Sequence, residues 1–163
     1  MMKTLRKKIM SAFIMSLCLL MASTVNASER YGKQKVVYHI NYDTPKKQAG
    51  ALRNIQNHIN AVGAENLDLK VVLHGNGLAL LLEPDSLSKL KKFKHANADE
   101  SMTAKIDGLK NQGVSFNVCA NTVRGRIVDL YCELYDVDVQ DIVDIGVGLV
   151  GRLQALGYSY IKP

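Results

Sequence analysis

Cysteine is scarce in this 163-residue chain: three in all, Cys18, Cys119 and Cys132. Three thiols cannot staple a small disulfide-rich fold. They include no Cys-x-x-Cys pair, which removes the usual signal of thioredoxin-type redox chemistry. No His/Cys spacing matches a zinc site, so no metal is expected. There is no nucleophile elbow for serine hydrolysis, no P-loop and no dinucleotide-binding glycine fingerprint. Internal repeats and low-complexity tracts are missing. No apolar run is long enough to span a bilayer comfortably.

The first 27 residues differ from the rest. Lys3, Arg6, Lys7 and Lys8 come without an acid, Ile9 to Met21 is almost wholly apolar, and small residues follow up to Val25-Asn26-Ala27. That pattern predicts a secretory signal cut after Ala27, and hence a periplasmic or secreted protein. The leader holds four of the 21 basic residues, so residues 28–163 carry 17 against 15 acidic ones, a net charge of +2 rather than +6. A near-neutral exported chain excludes nucleic acid as partner, and with the leader removed nothing attaches it to a membrane. The 28–163 stretch fits one domain. The basic cluster Lys89, Lys91, Lys92 and Lys94 reads as a solvated loop or helix face.

Apolar periodicity divides the domain into alternating elements. Lys35–Asn41, Leu69–His74 and Val114–Cys119 read as strands, the first buried on both faces as in a parallel sheet. Val137–Val143 and Tyr158–Ile161 are expected as a fourth and a final strand. Asp43-Thr44-Pro45 opens a helix carrying Leu52, Ile55, Ile59 and Val62 that Gly63 closes. Met102, Ile106 and Leu109 mark a second helix, ended by Gly113. Val147, Val150, Leu153 and Leu156 are expected on one face of a last helix, weakened by Gly146, Gly148 and Gly151. Leu78–Leu82 is assignable to neither helix nor strand, and Ser86–Ala98 is expected to be mobile or irregular. The alternation predicts βαβ units, a mainly parallel sheet with helices on both faces, and ligand binding beyond the carboxyl ends of the strands.

Those strand ends carry the polar and reactive residues. Cys119 falls between a strand end and a helix start at Asn121 and Thr122, where free backbone N–H groups and the helix dipole favour thiolate. The competing reading is a small buried hydrophobe. Arg124 is either a stabiliser of that thiolate, of a persulfide or of an oxyanion, or a surface residue. His74-Gly75-Asn76-Gly77 is either an anion-approaching turn or a plain tight one. His39, inside an apolar strand, reads as a satisfied core histidine, and His58 as solvent-facing. Cys132 is structural or a disulfide partner of Cys119; residue spacing does not decide.

Val71-Val72-Leu73-His74-Gly75, then Gly113-Val114-Ser115-Phe116-Asn117-Val118-Cys119-Ala120-Asn121-Thr122 with Arg124-Gly125, and Gly157-Tyr158-Ser159-Tyr160-Ile161-Lys162-Pro163, resemble the DsrE/DsrF-like family in its exported, single-domain form. The resemblance spans roughly Lys35 to Pro163. It implies a three-layer α/β/α fold with a mainly parallel sheet of about five strands. It also implies assembly as a trimer or hexamer and a sulfur relay in which Cys119 carries a persulfide without a cofactor. The partner would be a thiol or persulfide carrier protein. Two alternatives stand beside it: an oligomeric small-anion or partner-binding module without covalent chemistry, and thiol–disulfide exchange through Cys119 and Cys132.

Overall fold

The computed structural model describes residues 30–163, so the expected leader at 1–27 lies outside the described residues. Five strands, β1 (Gln34–Ile40), β2 (Leu67–Leu73), β3 (Ser115–Cys119), β4 (Ile142–Val143) and β5 (Ser159–Ile161), form one sheet in the order β4-β3-β2-β1-β5. Every pairing is parallel. Among the described residues, four α-helices pack on the sheet: α1 (Pro45–Val62), α2 (Glu100–Lys110), α3 (Ala120–Arg126) and α4 (Gly146–Ala155).

Side-chain alternation along the strands sorts them between two layers. Val36, Tyr38 and Ile40 of β1, Leu69, Val71 and Leu73 of β2, and Phe116 and Val118 of β3 pack with Leu52, Ile55 and Ile59 of α1 and Met102, Ile106 and Leu109 of α2. On the opposite face Val37 and Val72 meet Val150 and Leu153 of α4, together with Tyr158. The second layer is therefore one helix thick. At the strand ends on its side of the sheet, Cys119 and His74 approach α4.

Helix boundaries follow local chemistry. Pro45 occupies the first helical position of α1, and Gly63 ends it at φ 90°, a backbone conformation that glycine adopts without a Cβ penalty. Asp99 caps α2 by accepting the Met102 N–H at 2.8 Å. Three expectations change in detail. Leu78–Leu82 belongs to neither main class: Gly75–Leu80 winds as a 3₁₀ segment whose leucines are fully buried. The fourth strand shrinks to Ile142–Val143, because Asp138 to Asp141 closes into a 3₁₀ turn with the Asp141 carboxylate accepting the Asp138 N–H at 3.0 Å. Of the four residues expected on one face of the last helix, Val150 and Leu153 are buried, while Val147 and Leu156 are 57% and 47% exposed. The Ser86–Ala98 stretch is irregular but anchored: Leu90, Phe93 and Ala98 are buried, Arg126 stacks over the Phe93 ring at 4.4 Å, and Lys92 Nζ donates to the Gly125 carbonyl at 2.7 Å.

Helix α3 ends on Ile127, a β-branched residue held at φ 58°, ψ 53° and 80% exposed. The left-handed conformation costs an L-residue about 1–2 kcal/mol, and the exposed side chain returns little packing. Replacing Ile127 by glycine is expected to stabilise the fold by about 1 kcal/mol, net of glycine's larger unfolded-state entropy. Chemical denaturation with an unchanged m-value checks it; a loss of stability would show that the isoleucine side chain is held by contacts.

Candidate functional site

Strand β3 delivers Cys119 to the carboxyl edge of the sheet, on the face covered by α4. Cys119 is 5% exposed, as a small buried residue would be. Burial raises the thiol pKa. Hydrogen bonds from the Gly146 N–H, the Thr122 hydroxyl, and the Thr122 and Asn121 N–H groups outweigh burial and hold it below the ordinary value. The donors come from two helix starts. Neither α3, preceded by Cys119, nor α4, preceded by Ile145, has a side-chain cap. The sulfur lies at both helix starts, where their dipoles favour negative charge, while the Asn121 N–H also donates to the Asp144 carbonyl at 3.4 Å.

Gly146 is a member of this site that the sequence reading treated only as a helix-weakening glycine. A Cβ built on it would stand 3.0 Å from His74 Cβ, 3.2 Å from Cys119 Cβ and 3.5 Å from Val72 Cγ1. The helix start can therefore approach Cys119 only because no side chain intervenes. A strand-loop-glycine pattern before an apolar helix was the available signal, but nothing in it names the strand the glycine touches.

The His74–Gly77 turn is present, with its Gly75 and Gly77 N–H groups committed within the protein. Gly75 N–H donates to Thr122 Oγ1 at 2.8 Å, and Gly77 N–H closes the turn on the His74 carbonyl at 2.9 Å. That differs from the expectation of free N–H groups approaching an anion: these two tie the turn to α3 and to itself. Asn76 Oδ1 accepts from Arg126 at 2.6 Å. Arg124 is exposed and bonds to Asn121 Oδ1, so its guanidinium serves its own helix. Arg126 is the arginine whose charge acts on His74: burial first, then Arg126 and Lys162, lower the pKa of that imidazole. The pair Asn121 and Thr122 reaches Cys119 through its N–H groups and the Thr122 hydroxyl.

His39 is not a satisfied core histidine. It is 8% exposed; Nδ1 pairs with the Tyr160 hydroxyl at 2.9 Å, while Nε2 is buried without a partner. Its ring lies 4.7 Å from that of His74. Burial, then the charges of His74 and Lys162, lower its pKa. Tyr160, His39, His74 and Cys119 thus stand on β5, at the ends of β1 and β2, and on β3, the four adjacent strands. His58 is half-buried rather than solvent-facing, held by the Tyr38 hydroxyl at 3.1 Å and Gln34 Oε1 at 2.9 Å. Cys119 and Cys132 are both free thiols, and Cys132 is exposed, its N–H donating to Asp129 Oδ1 at 3.1 Å.

Three surface hollows of about 340–470 Å³ lie elsewhere: by Lys33 and Glu65, between α1 and α2 beside Leu52 and Leu109, and against Tyr42, Lys162 and Pro163. Cys119 lines none of them. Among the described residues no helix is long and apolar enough to cross a membrane.

Three comparisons bear on this arrangement. The sequence profile of the DsrE/DsrF-like family matches residues 34–163. Among solved structures, MTH1491 from Methanobacterium thermoautotrophicum, a protein of unknown function, superposes with a TM-score of 0.63 at 27% identity, over 80% of this chain and 100% of that one. No curated protein matches the sequence.

Proposed function

The chain belongs to the DsrE/DsrF-like family, and from that premise we propose that it is an exported sulfur carrier that holds sulfane sulfur on Cys119 as a persulfide. The observation carrying the reading is the place of Cys119 at the start of α3 and against Gly146 at the start of α4, where its thiol pKa is held below the ordinary value despite burial. A persulfide is more acidic than a thiol, and N–H groups aimed at the sulfur favour the anionic forms of both. Thiolate attack on a donor's sulfane sulfur loads Cys119, and attack by a partner's thiolate on the outer sulfur unloads it. No cofactor takes part, and the protein acts as a relay component rather than a turnover enzyme, its partner a thiol or persulfide carrier protein.

The leader pattern at 1–27 supports export to the periplasm or beyond. Ile145 and Val147, flanking Gly146, are 49% and 57% exposed; an apolar pair at the head of α4 supports a homo-oligomer, a trimer or hexamer, that covers it.

Mass spectrometry after polysulfide treatment tests the carrier. The expected result is a sulfur adduct on the native chain that reducing agent removes and that Cys119→Ser lacks while Cys132→Ser retains it. No adduct, or one confined to Cys132, overturns the reading.

One observation favours the second reading, a binding module without covalent chemistry: Cys119 is 5% exposed. Thiol titration separates the two. A thiol that reacts quickly at neutral pH speaks for the carrier, and one that needs unfolding before it reacts speaks for the module.

A further inference from the structure

The carrier reading leaves the His39–His74–Tyr160 row without a task, and His39 is expensive to leave idle. A buried polar atom without a partner costs about 1–3 kcal/mol, and Nε2 is such an atom on a side chain more than nine-tenths buried. Its other nitrogen is engaged toward β5 by Tyr160. Imidazole geometry then puts Nε2 on the ring edge away from that hydroxyl, and β2 with His74 lies across β1 from β5. A neutral ring that accepts the Tyr160 proton at Nδ1 carries its own hydrogen on Nε2, a donor in want of an acceptor. Positive charge surrounds the row. Lys162 follows β5, and Arg126 sits on Asn76, two residues from His74. After burial, Lys162 lowers the pKa of both histidines and Arg126 that of His74. Cys119 lies next to His74 at the same edge, both packed against Gly146.

We propose that the rim bounded by His39, His74 and Cys119 is the subsite for a thiosulfate-type dianion, with its sulfonate end on the His39 side and its outer sulfur toward Cys119. The inference rests on the carrier reading and names the donor class for it. The Cys119 thiolate attacks the outer sulfur; the new S–S bond forms as the donor's S–S bond breaks, and sulfite leaves with the bonding pair. Cys119 is left as the persulfide anion. Charge and atoms balance, and no oxidant, reductant or proton is needed. The leaving group distinguishes this donor from polysulfide. A sulfite dianion presents three oxygens that use the His39 Nε2–H and the field of Lys162 and Arg126, whereas a departing polysulfide anion makes weak hydrogen bonds.

The test measures the rate of Cys119 loading by mass spectrometry, with thiosulfate and with polysulfide as alternative donors. The native chain is expected to load from both. His39→Leu, which has no donor, is expected to lower the ratio of thiosulfate to polysulfide rates about tenfold, the size of effect set by a lost hydrogen bond to a charged group. Tyr160→Phe, which keeps the ring and removes only the hydroxyl that fixes His39, is expected to lower the ratio several-fold. It decides the matter should His39→Leu fail to fold by circular dichroism. Loading from polysulfide but not thiosulfate overturns this inference and leaves the carrier standing. Loading from neither overturns both. Variants that slow the two donors equally assign His39 a structural role and overturn it as well.

Discussion

Gly77→Ala is expected to destabilise the fold by more than about 3 kcal/mol, and to lower the melting temperature by about 10 °C or more. The size of the effect follows from what the new methyl group would meet. It would overlap the Ile40 carbonyl oxygen, stand 2.6 Å from the Ile40 carbonyl carbon, and lie 3.1 Å from Asn41 Cα. All three are backbone atoms, so no rotamer change relieves the overlap. Either β1 must retreat at its carboxyl end or the 3₁₀ segment must lift. Both carry buried structure with them: Ile40 is 0% exposed, as are Leu78, Ala79 and Leu80, and the Gly77 carbonyl accepts from the fully buried Gln48 at 3.2 Å. Overpacking against movable side chains costs about 1–3 kcal/mol; against backbone it exceeds that range and consumes much of a domain's usual margin of about 5–15 kcal/mol. Gly108→Ala is the matching control. That glycine lies within α2 with nothing within 4 Å of the added methyl, so alanine is expected to stabilise by about 0.5–1 kcal/mol through helix propensity. Thermal unfolding of the two variants separates close approach from loss of a glycine as such. A Gly77→Ala variant within about 0.5 kcal/mol of the parent would mean that the turn and the β1 end do not meet as described.

How far the amino-acid sequence discloses this molecule depends on the range of the interaction. Strands β1, β2 and β3, and helices α1 and α2, are legible because apolar periodicity, Pro45, Gly63 and Gly113 act locally, and the all-parallel sheet follows from their alternation. Where neighbours in space override local preference, legibility fails. The run Val137–Val143 has strand-forming residues, yet Asp138 and Asp141 bond to one another and leave only Ile142 and Val143 to pair with β3. Val147 and Leu156 continue a helical apolar face, but the sheet under α4 offers partners only to Val150 and Leu153. At the site, Cys119, Asn121 and Thr122 are legible as a strand-end thiol before a helix start. Gly146 and His39 are not: one is identified by a Cβ clash across 27 positions of chain, the other by a tyrosine 121 positions away. The arginines teach the same lesson. Arg124 and Arg126 are equivalent in sequence, and only the pitch of α3 sends Arg126 toward Asn76 and leaves Arg124 on Asn121.

Gly146→Ala is expected to slow thiol chemistry at Cys119 while barely changing stability, a separation that tests whether the second helix start controls the sulfur. Two opposing terms set the stability effect. Alanine gains up to about 1 kcal/mol of helix propensity at the start of α4. Against this, His74 Cβ and Cys119 Cβ, at 3.0 and 3.2 Å from the new methyl, must give by a few tenths of an ångström. The net change should be small. The thiol has no such compensation. Moving α4 outward lengthens the Gly146 N–H contact to the sulfur, which heads the contributions holding the thiol pKa down, while the opposing burial remains. The pKa therefore rises in the variant, and below that pKa the thiolate fraction falls tenfold for each unit of rise. Alkylation at neutral pH is expected to slow by about threefold or more, with the midpoint of the pH–rate profile displaced to higher pH and the plateau at high pH little altered. Linkage gives an independent sign. A thiol whose folded pKa is depressed adds stability above its unfolded value of about 8.5, and that contribution is lost as pH falls through the folded value. The parent should therefore gain stability over that alkaline window relative to Cys119→Ser, and Gly146→Ala should gain less. Gly151→Ala, on the same helix with open space around the added methyl, is expected to leave the alkylation profile where it was. If Gly146→Ala did the same, the polarisation of Cys119 would have to come from Asn121 and Thr122 alone.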